Sequence, residues 1–391
     1  MSDLERRLRR ALRGLPGGSE EARERAERAA LDALRPGVRP VRPRWAVALA
    51  SLAIGAVAAG AALAATDRLD VRIGAPQEPV TAAAPGPVRV PAGADGLALV
   101  AGGRLWMGTR AGLGVQGLAV TAAELSPSAL YVAVGIGRSL VAMAPDGQEA
   151  WTHPAGGPVV AAAWAPNPIV VAYVVRRGER HELRVIEGDG ENDLLVDADV
   201  GPVRPSWRAD THAIAYVAAD GRPRVADYPG LATRPVDAPP GAVSAVAFAP
   251  EGDRLALARA GGGAAVSVRG DGAGGPWAPL GGRGMALTAL VWGSPTELLA
   301  AGADPTDPAG GRLWRVFAGA VGVGKASGQA PAPGVTALAP LGDGRLVAAV
   351  RTGRQVQVWE ADLPQAEAPL TPRRVLLRVP AGAGPAALSI R

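Results

Sequence analysis

The chain of 391 residues has no cysteine. This absence excludes a disulfide framework, a thiol nucleophile, a thiolate metal site and a lipid anchor on cysteine. Histidine is scarce too. His153, His181 and His212 lie in different parts of the chain, and His181-Glu182 lacks the second histidine of a zinc-protease helix. Any large domain must therefore be stabilised by its apolar core alone.

Lysine and aromatic residues are also rare. Lys325 is the single lysine among 41 lysines and arginines, and aromatic residues make up 4% of the chain. Because the arginines are not interleaved with aromatic side chains, the composition does not favour nucleic-acid binding. The net charge of +5 belongs to residues 1–44, which hold twelve arginines and seven carboxylates, so residues 45–391 are neutral overall.

Residues 45–65 form an uncharged run of twenty-one residues. About 20 apolar residues are needed to cross a bilayer as a helix, so we predict a transmembrane helix here. Arg35, Arg39, Arg42 and Arg44 precede it, and the positive-inside rule then places the N-terminus in the cytoplasm and the large C-terminal part outside the cell. A signal peptide cleaved after Ala64 remains the alternative, but a 44-residue leader is long for one.

The segments on either side of the run differ in character. Residues 1–44 predict two short basic helices, the first with a capping box at Ser2-x-x-Glu5. Residues 1–35 either rest on the inner leaflet or dock a cytoplasmic partner. Residues 66–87 form a Pro/Ala-rich linker, and residues 88–391 form a separate domain.

Residues 88–391 are repetitive. A short apolar run ends in a large residue, a Pro, Ser or Gly turn follows, and a second apolar run begins. These large residues, here called anchors, are Leu125, Trp164, Trp207, Phe248, Trp292 and Leu338, with Val90 in a weaker copy. Four short strands per period of about 40–45 residues are typical of a propeller blade. We therefore predict an all-β propeller with seven blades, or six or eight because the terminal repeats are weak. Residues 375–391 should supply the closing strand, beside blade seven or beside the short first blade.

The repeats resemble those of WD40-like β-propellers, including the TolB-type group of bacterial envelopes. Residues 354–361 (RQVQVWEA) are similar to the third strand of a WD40 blade, with Trp359-Glu360 where that family has Trp-Asp. Leu313-Trp314 and Leu105-Trp106 stand in comparable places. The Gly-His pair of that family is absent, so its Asp-His-Ser-Trp network is not expected in every blade. The overall layout also resembles single-span propeller proteins of high-GC actinobacteria.

No motif in the chain predicts a catalytic, cofactor or metal site. Gly319-x4-Gly324-Lys325 is similar to the start of a phosphate-binding loop, but Ala326 replaces the required Ser or Thr, so we interpret it as a blade-edge loop. The acidic residues 187–193 and 304–307 are interpreted as solvated turns, since no distant calcium-binding glutamate follows. The three histidines are interpreted as solvated loop residues. Trp164, Trp207 and Trp292 are interpreted as core or inter-blade packing.

The sequence thus favours a membrane-anchored, extracytoplasmic propeller that acts as a non-catalytic scaffold or sensor for a protein, peptide or glycan. Two alternatives remain. One is a hydrolase or lyase of envelope polymers, which acids clustered at the channel mouth would favour. The other is transmembrane signalling through residues 1–35.

Overall fold

The structure is a computed structural model. It describes residues 88–390 except 168–169, 252–253, 260–266, 270–276, 280–285, 304–310, 319–322, 343, 365–367 and 383–385. The described residues belong to one compact unit, residues 81–391. The predicted cytoplasmic helices, transmembrane helix and linker lie outside the described residues. Within the described part of the chain, no helix has the length and apolar character needed to cross a membrane.

The described elements are strands that pair into seven four-stranded antiparallel sheets. Blade 1 consists of β28 (Ala387–Ile390), β1 (Gly96–Ala101), β2 (Arg104–Thr109) and β3 (Gln116–Ala119). Blade 2 consists of β4 (Ala122–Leu125), β5 (Val132–Ile136), β6 (Ser139–Met143) and β7 (Glu149–His153). Blade 3 consists of β8 (Val159–Trp164), β9 (Val170–Arg177), β10 (Arg180–Glu187) and β11 (Leu194–Asp197).

The remaining four sheets follow in chain order. Blade 4 consists of β12 (Ser206–Trp207), β13 (Ala213–Val217), β14 (Pro223–Asp227) and β15 (Thr233–Pro235). Blade 5 consists of β16 (Val243–Phe248), β17 (Leu255–Arg259), β18 (Ser267–Arg269) and β19 (Ala278–Pro279). Blade 6 consists of β20 (Ala286–Ser294), β21 (Glu297–Ala303), β22 (Arg312–Ala318) and β23 (Val323–Pro331). Blade 7 consists of β24 (Val335–Gly342), β25 (Arg345–Thr352), β26 (Gln355–Asp362) and β27 (Pro372–Pro380).

The sheets close into a ring. The first strand of each blade contacts the first strand of the next, from β4 through β8, β12, β16, β20 and β24 to β28, and β28 contacts β4 again. Seven apolar clusters fill the seven junctions between neighbouring blades. Since both faces of a blade are covered, second strands such as β9 and β13 are buried along most of their length. The prediction of an all-β propeller is confirmed.

The ends of the described chain meet in blade 1. Six sheets use four consecutive strands, whereas blade 1 combines β1–β3 with β28 as its innermost strand. Leu97 of β1 pairs with Ile390 and Val100 pairs with Ala387. The closing-strand prediction is therefore correct for residues 387–390, beside the first blade. Residues 372–380 are instead the ordinary fourth strand of blade 7.

The prediction that Val90 anchors an inner strand of its own is wrong. Residues 88–95 form no strand, and β28 takes the inner position. Pro91, which follows Val90 directly, lacks the N–H that a strand in this position would donate. Val88 and Val90 pack instead, partly buried, against the cluster between blades 7 and 1.

The ring has two end faces. The turns between first and second strands and between third and fourth strands lie at one end, together with residues 91–95, which lead into β1. We call this end the N-terminal face. The turns between second and third strands and the connections to the next blade lie at the other end, which we call the distal face. Backbone hydrogen bonds join segments within one face, as from Gly156 N to Arg138 O at the distal face.

Candidate functional site

Tryptophans at the ends of inner strands join neighbouring blades. The indole Nε1 of Trp164 donates to the carbonyl of Glu124 at 3.0 Å, and Trp207 donates to Ala163 at 3.0 Å. Trp292 donates to Ala247 at 2.9 Å. The three side chains are buried in inter-blade clusters, so their interpretation as packing residues is confirmed, with an added hydrogen bond that their spacing did not predict.

Serine hydroxyls join neighbouring blades by hydrogen bonds at two other junctions. The backbone N–H of Phe248 donates to Ser206 Oγ at 2.9 Å, and that of Leu125 donates to Ser389 Oγ at 3.2 Å. In both pairs the serine lies on one inner strand and the donor is the anchor of the next blade. Ser389 of the closing strand therefore occupies the position that Ser206 holds in blade 4.

A polar network crosses the junction between blades 2 and 3, and Asp193 is its centre. Asp193 accepts hydrogen bonds from Tyr173 Oη at 2.8 Å and from Arg184 Nε at 2.8 and 3.1 Å. His153 Nε2 of blade 2 lies 3.3 Å from the Asp193 carboxylate. Arg184 also donates to Glu182 at 3.1 Å. Tyr173 and Arg184 are direct cross-strand partners on β9 and β10, which fixes their side-by-side placement.

The same arrangement recurs one blade further on. Tyr216 and Arg224 are direct partners on β13 and β14. Tyr216 Oη donates to Asp197 Oδ2 at 2.8 Å, and Arg224 donates to the same oxygen at 3.2 Å. Asp197 belongs to blade 3, so this triad also joins two blades.

Burial determines the protonation states in these networks. Burial, then the charge of Asp193 and the hydrogen bond to it, raise the pKa of Tyr173 far above its usual range. Burial and the contacts with Asp197 raise the pKa of Tyr216 in the same way. Burial lowers the pKa of Arg184, but its hydrogen bonds to Asp193 and the charge of Asp193 outweigh it and raise the pKa. The tyrosines are thus neutral donors and the aspartates are acceptors between blades, which is a stabilising arrangement.

The histidines only partly follow the sequence interpretation. His212 is exposed in a turn, 3.7 Å from Asp210, as predicted. His153 ends β7 and its side chain is only 19% exposed against Asp193, so its prediction as a solvated loop residue is wrong. His181 lies in β10, half-buried, and burial and the charge of Arg176 lower its pKa. The structure brings none of these histidines together.

The structure tests the predicted turns and the predicted blade-edge loop. Residues 187–193 connect β10 and β11, and the backbone N–H groups of Glu187 and Gly190 donate to the carbonyls of Glu191 and Glu187, so the turn is confirmed. Asp193 at its end is not solvated as predicted, because Tyr173 and Arg184 hold it against the blade. Of the predicted loop 319–325, residues 319–322 lie outside the described residues, and Lys325 lies in strand β23 rather than in a loop. Residues 304–307 lie outside the described residues. Among the residues that the structure describes, no group of acids and histidines could hold a metal ion.

The Trp-Glu pair in blade 7 has a structural role. Trp359 lies on the third strand β26, as the WD40 resemblance implies, and its Nε1 donates to Gln357 at 2.9 Å. Glu360 is buried and accepts from Arg345 at 2.8 Å. Arg345 also donates to the carbonyl of Ala92 at 3.0 Å, which ties blade 7 to the start of the ring.

A charged pair, here called the axial pair, joins two blades that are not neighbours. Arg204, in the distal-face connection before β12, donates to Glu124 of blade 2 at 2.6 Å. Blade 3 separates blades 2 and 4 in the ring. Glu124 is buried, whereas the Arg204 side chain is 55% exposed. Neither residue was predicted, because a pair 80 residues apart leaves no local pattern. Together with the loops of the end faces, this pair is the candidate binding site.

No protein-family model matches the chain, and no curated protein matches it. Solved structures do match. A protein from Bacteroides uniformis, provisionally assigned as a 6-phosphogluconolactonase, is 14% identical with a TM-score of 0.54 over 76% of this chain and 100% of that one. TolB from Acinetobacter baumannii is 12% identical with a TM-score of 0.46 over 76% of this chain and 66% of that one. The Cps50 (Swd1) β-propeller domain from Myceliophteria thermophila is 11% identical with a TM-score of 0.49 over 69% of this chain and 94% of that one. At such identities the likeness extends to the fold alone, and the fold is an all-β propeller.

Proposed function

We propose that this chain is a single-span membrane protein whose propeller, outside the cell, binds a protein, peptide or glycan of the envelope without catalysing a reaction. The observation that carries the proposal is the closed ring. Seven apolar clusters and the inter-blade hydrogen bonds make a rigid frame that presents loops from every blade at two end faces. Binding residues are commonly carried on loops that such a scaffold positions.

The axial pair argues against the hydrolase alternative. Glycoside hydrolysis uses two carboxyl groups on either side of the scissile bond. Glu124 accepts from the guanidinium of Arg204 at 2.6 Å, so this carboxylate is bound to a cation. A guanidinium in this place suits recognition of a negatively charged group.

Topology is tested first, and the absence of native cysteine makes the test simple. Single cysteines are introduced by Ser19→Cys and by Thr352→Cys, an exposed distal-face position. A membrane-impermeant maleimide should label Thr352→Cys in intact cells and label Ser19→Cys only after permeabilisation. The reverse pattern, or loss of an N-terminal epitope from the mature protein, would contradict the anchored topology.

Binding is tested by crosslinking the N-terminally tagged full chain in intact envelopes. The control is the same chain without residues 383–391, which lacks the closing strand. We expect specific partners that depend on the closed propeller. The proposal would be overturned if no specific protein or glycan were recovered. It would also be overturned if the intact chain, but not the truncated chain, released fragments of envelope polymer, because that would indicate catalysis.

A further inference from the structure

Arginines recur at one position of the propeller. In six of the seven blades an arginine stands at the start of the third strand or one residue before it, directly after a glycine in five blades and two residues after Gly178 in blade 3. These six residues, here called the arginine ring, are Arg104, Arg138, Arg180, Arg222, Arg312 and Arg354. Blade 5 has Arg259 at the end of its second strand, before residues outside the described part of the chain.

The local backbone explains the placement. Gly137 and Gly353 have φ values of +57° and +59°, which other residues rarely adopt, so glycine is favoured at these hairpin tips. The arginine is exposed in all six blades. Because every such turn lies at the distal face, the ring closure places all six arginines on that face.

Few carboxylates balance the ring. The described distal turns and connections also hold Arg204 and four carboxylates, Glu179, Asp199, Asp220 and Asp237. The adjoining strand ends add Arg176, Arg177 and Arg351 together with Glu182 and Asp197. At the N-terminal face carboxylates outnumber arginines, most densely in the loop 187–193. The distal face is therefore rich in arginine and the N-terminal face is rich in carboxylates, although residues 45–391 have no net charge.

Most of the ring has no acidic partner within the described part of the protein. Arg222 lies 3.9 Å from Asp220, and Arg138 donates to the carbonyl of Gly156. The ion pairs between described residues include none with Arg104, Arg180, Arg312 or Arg354. A planar guanidinium offers a two-pronged donor that matches a carboxylate.

We propose that the distal face binds an acidic segment of a protein partner, an inference that rests on the proposed binding function. The described distal turns and connections carry no Phe, Tyr or Trp, so nothing there would stack on bases or sugars. The side chain of Arg204, in the distal-face connection before β12, is 55% exposed and adds a further guanidinium that an extended acidic chain can reach. Carboxylate-bearing peptide is the ligand that fits both the ring and Arg204.

The test uses the full chain in detergent and a fluorescein-labelled decaglutamate peptide, at about 20 mM salt where screening is weak. The ring variant replaces Arg104, Arg180, Arg222 and Arg354 by serine. The control variant replaces four exposed arginines away from the distal turns, Arg110, Arg234, Arg373 and Arg374, so both lose the same charge. We expect the ring variant to bind the peptide about tenfold more weakly and the control variant to change little. The corresponding Arg→Lys ring variant should fall between the ring variant and wild type, because it keeps the charge but loses the planar donor.

Equal weakening of both serine variants would overturn the inference, because binding would then follow net charge alone. Two further results would also overturn it: tighter ring-dependent binding to phosphatidylserine vesicles than to the peptide, or ring-dependent self-association in sedimentation. Thermal unfolding of each variant shows whether weaker binding reflects a loss of folding. If the fourfold ring variant does not fold, the single variants Arg180→Ser and Arg354→Ser replace it in the binding assay. If both serine variants still capture the same envelope partner, this inference fails while the proposed function stands. If the wild type captures none, the proposed function itself fails.

Discussion

At the scale of residues, Asp193 shows how a side chain in a loop becomes part of a junction. Its neighbours in sequence are acidic and typical of a solvated turn, which the loop 187–193 largely is. Tyr173, Arg184 and His153 reach the same carboxylate from three strands of two blades. The sequence predicts each strand by its apolar pattern, but which polar side chains meet depends on how neighbouring blades are rotated. That rotation has no local signature.

Replacing Asp193 should destabilise the propeller. In Asp193→Asn the guanidinium of Arg184 loses one of its two charged acceptors, with Glu182 the other, while it stays largely buried. We expect the free energy of unfolding to fall by about 3 kcal/mol, the low end for breaking a buried pair. Glu191→Gln, an exposed carboxylate in the same loop, is the control and should change it by less than about 0.5 kcal/mol. Denaturant unfolding followed by tryptophan fluorescence measures both, and equal effects would argue against the network.

The raised pKa values of Tyr173 and Tyr216 predict a loss of stability in alkali. In the unfolded chain tyrosines ionise around pH 10, whereas these two remain protonated in the folded state. Their contribution to stability is therefore complete below about pH 10 and declines as the pH rises further. Absorbance at 295 nm should show a tyrosinate signal that appears only with unfolding and shrinks in the Tyr173→Phe/Tyr216→Phe variant. Full ionisation of all tyrosines in a folded protein would contradict the assignment.

At the scale of elements, the closing strand is the point where sequence reasoning was nearly complete. The weak first repeat and the surplus strands at the end predict that residues 375–391 close the ring. The division between β27 and β28 could not be predicted, because both are short apolar runs. Ser389 in β28 settles the register, since its hydroxyl accepts from Leu125 as Ser206 does from Phe248.

Removing residues 383–391 should therefore abolish cooperative unfolding. Blade 1 would lose its innermost strand, and the contacts of β28 with β4 and β24 would be lost on both sides. Denaturant unfolding measures the cooperativity and stability of the full chain and of the truncated chain. A chain without residues 1–35, which lie before the propeller, is the control. A truncated chain with unchanged stability would show that the ring does not need this strand.

At the scale of the whole molecule, the repeat spacing is enough to predict a propeller, because a blade cannot bury both faces alone. The Gly-Arg pairs at the third strands are also visible in the sequence. That these arginines share one face cannot be predicted from the sequence, because residues tens of positions apart come together only when the blades close into a ring. The pair of Arg204 and Glu124 depends on that closure in the same way.

The central claim is that the propeller binds an envelope partner through an end face. Photo-crosslinking residues placed singly in the full chain test it most directly in intact cells. The distal positions are Glu179, Ala219 and Thr352, and the positions at the N-terminal face are Leu130, Asp210 and Pro250, all exposed. The account predicts one discrete protein adduct from the distal positions and none from the others. Adducts of equal yield from both faces, or from neither, would contradict it.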